Sequence, residues 1–198
     1  YPRTYHLPWS EGTQNMDKIC PSLDHFDNKT VIVTEKMDGE NITMYCDYLH
    51  ARSLNFKTHP SRSYVQMLHG LIAHEIPDGW RICGENMYAK HSIFYDNLES
   101  YFYMFSIWNE SNMCLSWNET VLWAKKLQFP LPSVLYDGIW DESVIRNISI
   151  NTDTQEGYVV RLKESFSYDM FQYACAKYVR RDHIQTDKHW LHQRVTKN

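Results

Sequence analysis

The segment that joins two strand-like runs, residues 31–48, constrains the fold of this chain most. Residues 31–34 (Val-Ile-Val-Thr) are apolar and β-branched, which is typical of a strand, and residues 42–48 form a second such run. Asp38-Gly39 lies between them and can supply the positive φ angle of a tight turn. The pattern predicts a hairpin over residues 30–48 with Lys36 near the end of its first strand. On this segment alone, Lys36 could equally be an ordinary solvated lysine.

Size and composition indicate one globular domain over residues 1–198. The chain is 43% hydrophobic and 22% charged, and no run approaches the roughly 18 apolar residues of a membrane span. The first residues also lack the apolar core of a secretory signal. The five cysteines are widely spaced and form no Cys-x-x-Cys pair, which argues against a zinc site or a disulfide framework. We therefore expect reduced thiols in a cytoplasmic protein without a membrane partner.

The net charge of −4 excludes a protein that coats nucleic acid by bulk electrostatics. A local patch is available in the tail, residues 180–198, where basic and aromatic side chains alternate. Any contact with RNA or DNA would have to come from such a patch. Its basic residues, with Lys177 just before it, are Lys177, Arg180, Arg181, Lys188, Arg194 and Lys197. A metal site at His183, His189 and His192 is the alternative, but no further ligand of a convincing type is near.

Hydrophobic periodicity predicts an α+β fold with mostly antiparallel sheets flanked by helices. A stripe of Tyr64, Met67, Leu68, Leu71 and Ile72 predicts a helix over 61–76 with these side chains in the core. Ser116 and Glu119 form a capping box for a second helix, with Val121, Leu122 and Leu127 on its buried side. A short helix is expected over 141–148, and strands over 80–86, 102–109, 158–162 and 173–179. Neither a P-loop nor a dinucleotide-binding Gly motif is present.

Four further motifs follow the Lys36-x-Asp38-Gly39 signature along the chain. They are Gly84-Glu85, the aromatic run 101–108, Glu156-Gly157-Tyr158-Val159-Val160-Arg161 and Ala176-Lys177-Tyr178. Each taken singly is most simply a surface acid, a core strand or a solvated strand end. In this order, however, they resemble the motif set of the covalent nucleotidyltransferases. The details, including residues 2–10 and the tail, look most like ATP-dependent RNA ligases of the small bacterial and phage type.

The resemblance implies a nucleotidyltransferase (ligase adenylation domain) fold and three-step chemistry. Lys36 would take AMP from ATP, pass it to an RNA 5′-phosphate, and an RNA 3′-hydroxyl would then displace AMP. The cofactors would be ATP with Mg²⁺ or Mn²⁺, and the partner would be RNA with 5′-phosphate and 3′-hydroxyl ends. A monomer in the cytoplasm of a bacterial or phage-infected cell is expected. A GTP-dependent capping-type enzyme and a binding module without catalysis remain as alternatives.

The resemblance also assigns a role to individual residues. The catalytic group would be Lys36 as nucleophile, Glu156 as the acid that holds the metal, and Lys177 at the α-phosphate. Burial or nearby positive charge would have to lower the pKa of Lys36, because only a neutral amine attacks. The remaining residues would contact the nucleotide or order water at the metal: Glu35, Asp38, Gly39, Asn41, Arg52, Glu85, Phe105 (or Tyr103) and Arg161. One departure is Val179, which stands where many ligases have a second lysine.

Overall fold

The computed structural model describes residues 1–52, 59–181 and 195–198. Its strands are β1 (Tyr5–His6), β2 (Thr30–Lys36), β3 (Glu40–Met44), β4 (Leu49–Ala51), β5 (Arg81–Asn86), β6 (Phe102–Trp108), β7 (Met113–Cys114), β8 (Val134–Ile139), β9 (Gly157–Leu162), β10 (Phe166–Ser167) and β11 (Cys175–Val179). Its helices are α1 (Ser63–Ile72), α2 (Trp117–Leu127), α3 (Glu142–Arg146) and α4 (Phe171–Ala174). Short 3₁₀ turns occupy Asp24–Phe26, Pro60–Arg62, Ala73–Glu75 and Tyr168–Met170.

The described strands form two sheets. The five-stranded sheet has the order β1-β11-β9-β2-β8, and the six-stranded sheet has the order β10-β7-β6-β5-β3-β4. Neighbouring strands are antiparallel except β1 and β11, which run parallel. The predicted α+β class with mostly antiparallel sheets is therefore confirmed. None of the helices in the described ranges is both long and apolar enough to cross a bilayer.

The predicted hairpin over residues 30–48 is wrong. β2 pairs with β8 and β9, whereas β3 pairs with β4 and β5, so Asp38-Gly39 carries the chain from one sheet to the other. Gly39 has no positive φ angle. Glycine is needed there for a different reason, because a Cβ atom would lie 2.4 Å from the Asn86 carbonyl oxygen. The tight hairpin joins β3 to β4 instead, where the N–H of Tyr45 donates to the Tyr48 carbonyl at 2.8 Å.

Both predicted long helices are present, but their buried sides differ from the prediction. On α1 the fully buried residue is Val65, while Met67 and Leu71 are exposed. Tyr64, Leu68 and Ile72 do pack against the core as predicted, so the prediction is wrong only for Met67 and Leu71. The predicted capping box of α2 is confirmed, since the Ser116 hydroxyl and the Glu119 side chain both cap its first turn. The sequence prediction for Val121 and Leu122 is wrong, because both are exposed. The side that α2 buries carries Trp117, Thr120, Ala124 and Leu127.

The shorter elements follow the prediction in part. α3 lies within the helix expected over 141–148, and its cap is the Asp141 side chain. The strand expected over 173–179 starts only at Cys175, because α4 occupies the residues before it. β8 was not expected. It is an edge strand with several exposed residues, so its sequence lacks a clear buried face.

The apolar clusters show how the two sheets are arranged. One cluster, which includes Ile42 and Phe102, packs the six-stranded sheet against α1 and α2. A second, with Val33 and Val160, covers the five-stranded sheet on its side facing α3. A third joins residues of both sheets, among them Trp108 and Cys175. The two sheets therefore face each other across a shared interior, and this is where the predicted site residues meet.

Candidate active site

Lys36 and Lys177 lie on the same face of the five-stranded sheet. Lys36 is opposite Gly157 on β9, which in turn is opposite Val179 on β11. The next row on that face holds Thr34, Val159 and Lys177. Because directly opposed residues share a face, the two lysines project toward the same space from strands on either side of β9.

That space is a cavity of about 160 Å³ between the sheets. Eight of the predicted site residues line it: Glu35, Lys36, Asn41, Arg52, Glu85, Phe105, Arg161 and Lys177. Residues more than 140 positions apart in the chain are thus brought together, as the motif order predicts. Sequence reasoning missed other wall residues, including Tyr1, Thr34, Ser106, Cys114, Trp117, Val159 and Cys175.

Lys36 is paired with Glu156 in this structure. Its Nζ donates to Glu156 Oε2 at 2.5 Å, and Glu156 is almost fully buried. Burial by itself lowers the pKa of the Lys36 amine, but the charges of Glu156 and Glu85 outweigh it and hold that pKa above its ordinary value. The expected lowering of the pKa is therefore absent from this arrangement. Burial also raises the pKa of Glu156, and the charge of Lys36 offsets part of that rise.

Glu85 faces the same space from β5. Its Oε1 accepts a hydrogen bond from the N–H of Gly39 at 3.3 Å, which ties the crossover between the sheets to the cavity wall. Burial raises the pKa of Glu85 to about 8, with the Lys36 charge acting in the opposite direction. A carboxyl group in this state can both donate and accept hydrogen bonds near neutral pH, which suits contact with hydroxyl groups.

Lys177 differs from Lys36 in its electrostatic surroundings. Burial lowers the pKa of Lys177 to about 8, and the nearby charges of Lys36 and Arg52 act in the same direction. Asp17 and Glu156 oppose that lowering. The three cations therefore converge on one region of the cavity, as expected for a site that receives several phosphate groups.

The slot of the second family lysine provides no base in the described structure. Val179 faces the same side as Lys177 and is buried. Arg180 is also buried, and its backbone N–H donates to the Glu156 carbonyl at 3.0 Å. The backbone of β11 therefore helps to place Glu156, while Arg52 is the further cation beside Lys177. The predicted tail contact falls largely on residues 182–194, which lie outside the described residues, as do His183, His189 and His192.

Oxygen atoms that fit a divalent cation are present beside Lys36. Asn41 lines the cavity, and its buried Oδ1 has no hydrogen-bond partner among the described residues. Glu156 adds a carboxylate. Residues 1–52, 59–181 and 195–198 contain no cluster of three His, Cys, Asp or Glu side chains that could hold a metal by themselves. The donor set therefore suits Mg²⁺ or Mn²⁺ that keeps most of its waters.

Two residues of the nucleophile motif have different surroundings. Asp38 does not line the cavity, because its Oδ2 accepts hydrogen bonds from the N–H groups of Ser92 (2.8 Å) and Ile93 (3.0 Å) and from the Ser92 hydroxyl. It therefore holds the loop after β5 in place. Glu35 does line the cavity, and burial raises its pKa. The backbone around Glu35 is fixed by a hydrogen bond from its N–H to the Ser133 carbonyl.

A register shift in the six-stranded sheet selects between the two candidate stacking residues. Cys83 pairs with Ser106 but Gly84 pairs with Met104, so Phe105 is the extra residue of a β-bulge. Phe105 lines the cavity. Tyr103 instead packs in a separate cluster, and its hydroxyl accepts from the Glu99 N–H at 3.0 Å. The ring of Tyr1 contacts Phe105 edge-on at 5.0 Å, so this end of the cavity is aromatic.

Arg161 lies at the same aromatic end. Its guanidinium donates to the carbonyls of Leu115 (2.7 Å) and Leu162 (3.1 Å), and it lies over the rings of Trp117 and Phe166. The side chain is buried and its donors are partly used. Arg161 lines the same cavity as Lys36, Arg52 and Lys177, and its contact with phosphate stays a prediction.

A family model described as RNA ligase matches residues 29–179, which contain every motif discussed above. The chain belongs to the RNA ligase family. The resemblance drawn from the ordered motifs is thereby confirmed at the level of the RNA ligase family. The small bacterial and phage type stays a prediction. A comparison with curated proteins found no match.

Solved RNA ligases share the fold. The Naegleria gruberi RNA ligase with PPi superimposes with a TM-score of 0.55 at 18% identity, covering 91% of this chain and 57% of that one. A mutant of the same ligase with ATP and Mn gives a TM-score of 0.56 at 17% identity. An archaeal ATP-dependent RNA ligase gives 0.55 at 17%, covering 88% of this chain and 48% of that one. This RNA ligase family member thus spans about half the length of those enzymes.

Proposed function

We propose that this chain carries the nucleotidyl-transfer centre of an ATP-dependent RNA ligase. The observation that supports this best is that Lys36, which pairs with Glu156, lines one cavity together with Lys177, Glu85 and Phe105. A lysine in such a site can form a covalent bond to phosphorus and then release the nucleotide to a second acceptor. Membership of the RNA ligase family supports RNA as that acceptor.

In the first step, Lys36 Nζ attacks the α-phosphorus of ATP. A P–N bond forms, the P–O bond to the β-phosphate breaks, and pyrophosphate leaves. Glu156 Oε2 accepts a hydrogen bond from the amine and would draw its proton away. Lys177 and Arg52 would offset charge on the phosphates, while Phe105 and Glu85 would hold the base and the ribose. Most of the acceleration would come from position and charge.

The same residues serve the two later steps. The oxygen of an RNA 5′-phosphate attacks the phosphorus of lysyl-AMP, which returns the amine of Lys36 and links AMP to the RNA. A 3′-hydroxyl then attacks the RNA phosphorus and releases AMP as the phosphodiester forms. Mg²⁺ or Mn²⁺ near Glu156 and Asn41 would neutralise phosphate charge when bound. The free cysteines favour a reducing compartment such as cytoplasm.

The experiment is a label-and-chase assay. The protein is incubated with α-³²P-labelled ATP or GTP and Mg²⁺, and protein-bound label is measured on a denaturing gel. The labelled protein is then mixed with RNA bearing either a 5′-phosphate or a 5′-hydroxyl. We expect label from ATP and its transfer only to the 5′-phosphorylated RNA. Label from GTP instead would indicate a capping-type enzyme, and absence of label from both would contradict the proposal.

A further inference from the structure

Three aromatic rings form a stack outside the cavity. Tyr45 and Tyr48 are stacked with their centroids 4.5 Å apart and their planes 11° apart. His50 lies nearly parallel to both, with its centroid 6.1 Å from each. Tyr48 is 47% exposed, whereas a tyrosine that serves only the core is normally covered. None of the roles assigned above uses these rings.

The stack is on the cavity face of the six-stranded sheet. Asn41 lines the cavity from β3, and side chains two and four residues later, Thr43 and Tyr45, point to the same face. Thr43 is opposite His50, and the N–H of Arg52 donates to the Asn41 carbonyl. The opposite face, with Ile42 and Ala51, belongs to the core. A line of side chains therefore leads from Arg52 at the cavity through His50 to Tyr48.

Two arginines lie at the ends of this line. Arg52 lines the cavity near Lys177. Arg81 lies near Tyr45: burial raises the pKa of Tyr45, and the charge of Arg81 offsets part of that rise. Arg81 contacts the Asn112 side chain and the Trp108 ring. Neither arginine forms a salt bridge with a carboxylate among the described residues. Asp47 and Asp78 lie beside Cys46 at the turn, so phosphates would be held at Arg52 and Arg81 rather than there.

We propose that Tyr48, supported by Tyr45 and His50, is a stacking platform for the bases of the RNA strand whose 5′ end enters the cavity. This rests on the proposed function for the identity of the strand. Aromatic faces with flanking arginines suit single-stranded RNA, since every base can stack and the phosphates meet cations. The extended chain from Tyr48 through β4 to Arg52 spans about 13 Å, or about four stacked nucleotides.

The test measures RNA binding directly, apart from chemistry. Binding of a 5′-phosphorylated ten-nucleotide RNA, labelled at its 3′ end, is followed by fluorescence anisotropy. The proteins are wild type, Tyr48→Ala, Tyr48→Trp and Tyr173→Ala. Tyr173 is the matched control, because it is also exposed but lies on α4 beside His25. The same preparations are assayed for protein-bound AMP from ATP alone, and competition with a 5′-phosphorylated dinucleotide is measured.

We expect Tyr48→Ala to raise the Kd for the ten-nucleotide RNA by about tenfold or more, as loss of a stacked base does. Tyr48→Trp and Tyr173→Ala should bind the ten-nucleotide RNA within about twofold of wild type. The dinucleotide, which is too short to reach Tyr48, should have the same inhibition constant for all four proteins. Unchanged binding by Tyr48→Ala, or an equal loss in Tyr173→Ala, would overturn the platform. Absence of protein-bound AMP in every preparation would instead count against the proposed function, while the anisotropy still decides on the RNA surface.

Discussion

Lys36 and Glu156 form a buried ion pair, with Nζ and Oε2 2.5 Å apart, although they are separated by 120 residues in the chain. Burial lowers the pKa of the amine, but the charges of Glu156 and Glu85 outweigh it and favour the protonated form, which is not nucleophilic. The amine can attack only when this proton is drawn away. In the proposed mechanism the pair would both position Lys36 and keep it inactive until the proton leaves.

Gly157 is required by the close approach of β9 and β11 between Lys36 and Val179. A Cβ atom at Gly157 would lie 2.0 Å from the Tyr178 carbonyl oxygen, which cannot move without disturbing β11. We expect Gly157→Ala to lower the free energy of unfolding by about 1–3 kcal/mol. The matched control is Gly70→Ala, since nothing lies within 4 Å of its Cβ position in α1. That change should stabilise the protein by up to about 1 kcal/mol. Urea unfolding measures the free energy of unfolding of both variants. Equal changes in Gly157→Ala and Gly70→Ala would contradict the prediction.

The ion pair between Glu40 and Arg62 joins the start of β3 to the 3₁₀ turn that precedes α1. Arg62 Nε donates to Glu40 Oε2 at 2.9 Å and Nη2 donates to Oε1, so the contact is bidentate and largely buried. Arg62→Ala would leave the Glu40 carboxylate in a buried site, and we expect a loss of about 3–5 kcal/mol in unfolding free energy. Breaking the exposed Glu75 pair with Lys126→Ala should lower the free energy of unfolding far less, because solvent screens this pair. An equally small loss of unfolding free energy in Arg62→Ala and Lys126→Ala would contradict a stabilising role for the Glu40–Arg62 pair.

Lys177 should make nucleotide binding sensitive to pH. Its pKa is lowered to about 8, so the amine is charged below that pH and neutral above it. We expect the Kd for an unreactive ATP analogue with an α,β-methylene bridge to rise about tenfold between pH 7 and pH 9. Lys177→Arg should not show this rise, because arginine keeps its charge. Glu85 also titrates near pH 8, but it does so in both proteins. An identical pH dependence in the two proteins would rule out Lys177 as its source.

Phe105 and Tyr103 differ by their surroundings, and binding should distinguish them. Phe105→Ala removes an aromatic wall of the cavity and should weaken binding of the same ATP analogue by about tenfold, with little effect on unfolding. Tyr103→Ala removes a ring packed on Met37 and Met87 and should lower stability while leaving the affinity of the folded protein near wild type. Isothermal titration and thermal unfolding measure the two effects. The reverse pattern would mean that Tyr103 is the stacking residue.

The sequence predicted which residues line the site more reliably than it predicted the strand pairing and packing that position them. The ordered motifs located Lys36 and Glu85 near the ends of β2 and β5 and Lys177 within β11, and all three side chains line the cavity. The hairpin at Asp38-Gly39 was wrong because a tight turn and a crossover with a close backbone contact both call for glycine.

Other features depend on packing that a single sequence does not display. The orientation of α1 and α2 is set by the sheet beneath them, so apolar side chains such as Leu71 and Leu122 remain exposed. The bulge at Phe105 has no local sequence signal. Val159 could have been inferred, since it lies two residues before Arg161 on the same strand face and opposite Lys177.

The central claim is that Lys36 is the nucleophile, and mapping of the covalent adduct tests it most directly. The protein is incubated with ATP and Mg²⁺, and its intact mass and peptide masses are compared with those of Lys36→Arg and of Lys18→Arg, an exposed control lysine outside the cavity. We predict one added AMP on the peptide that contains Lys36, through an acid-labile P–N bond. Lys18→Arg should form the adduct like wild type and Lys36→Arg should form none. An adduct on another residue, or one that persists in Lys36→Arg, would contradict the account.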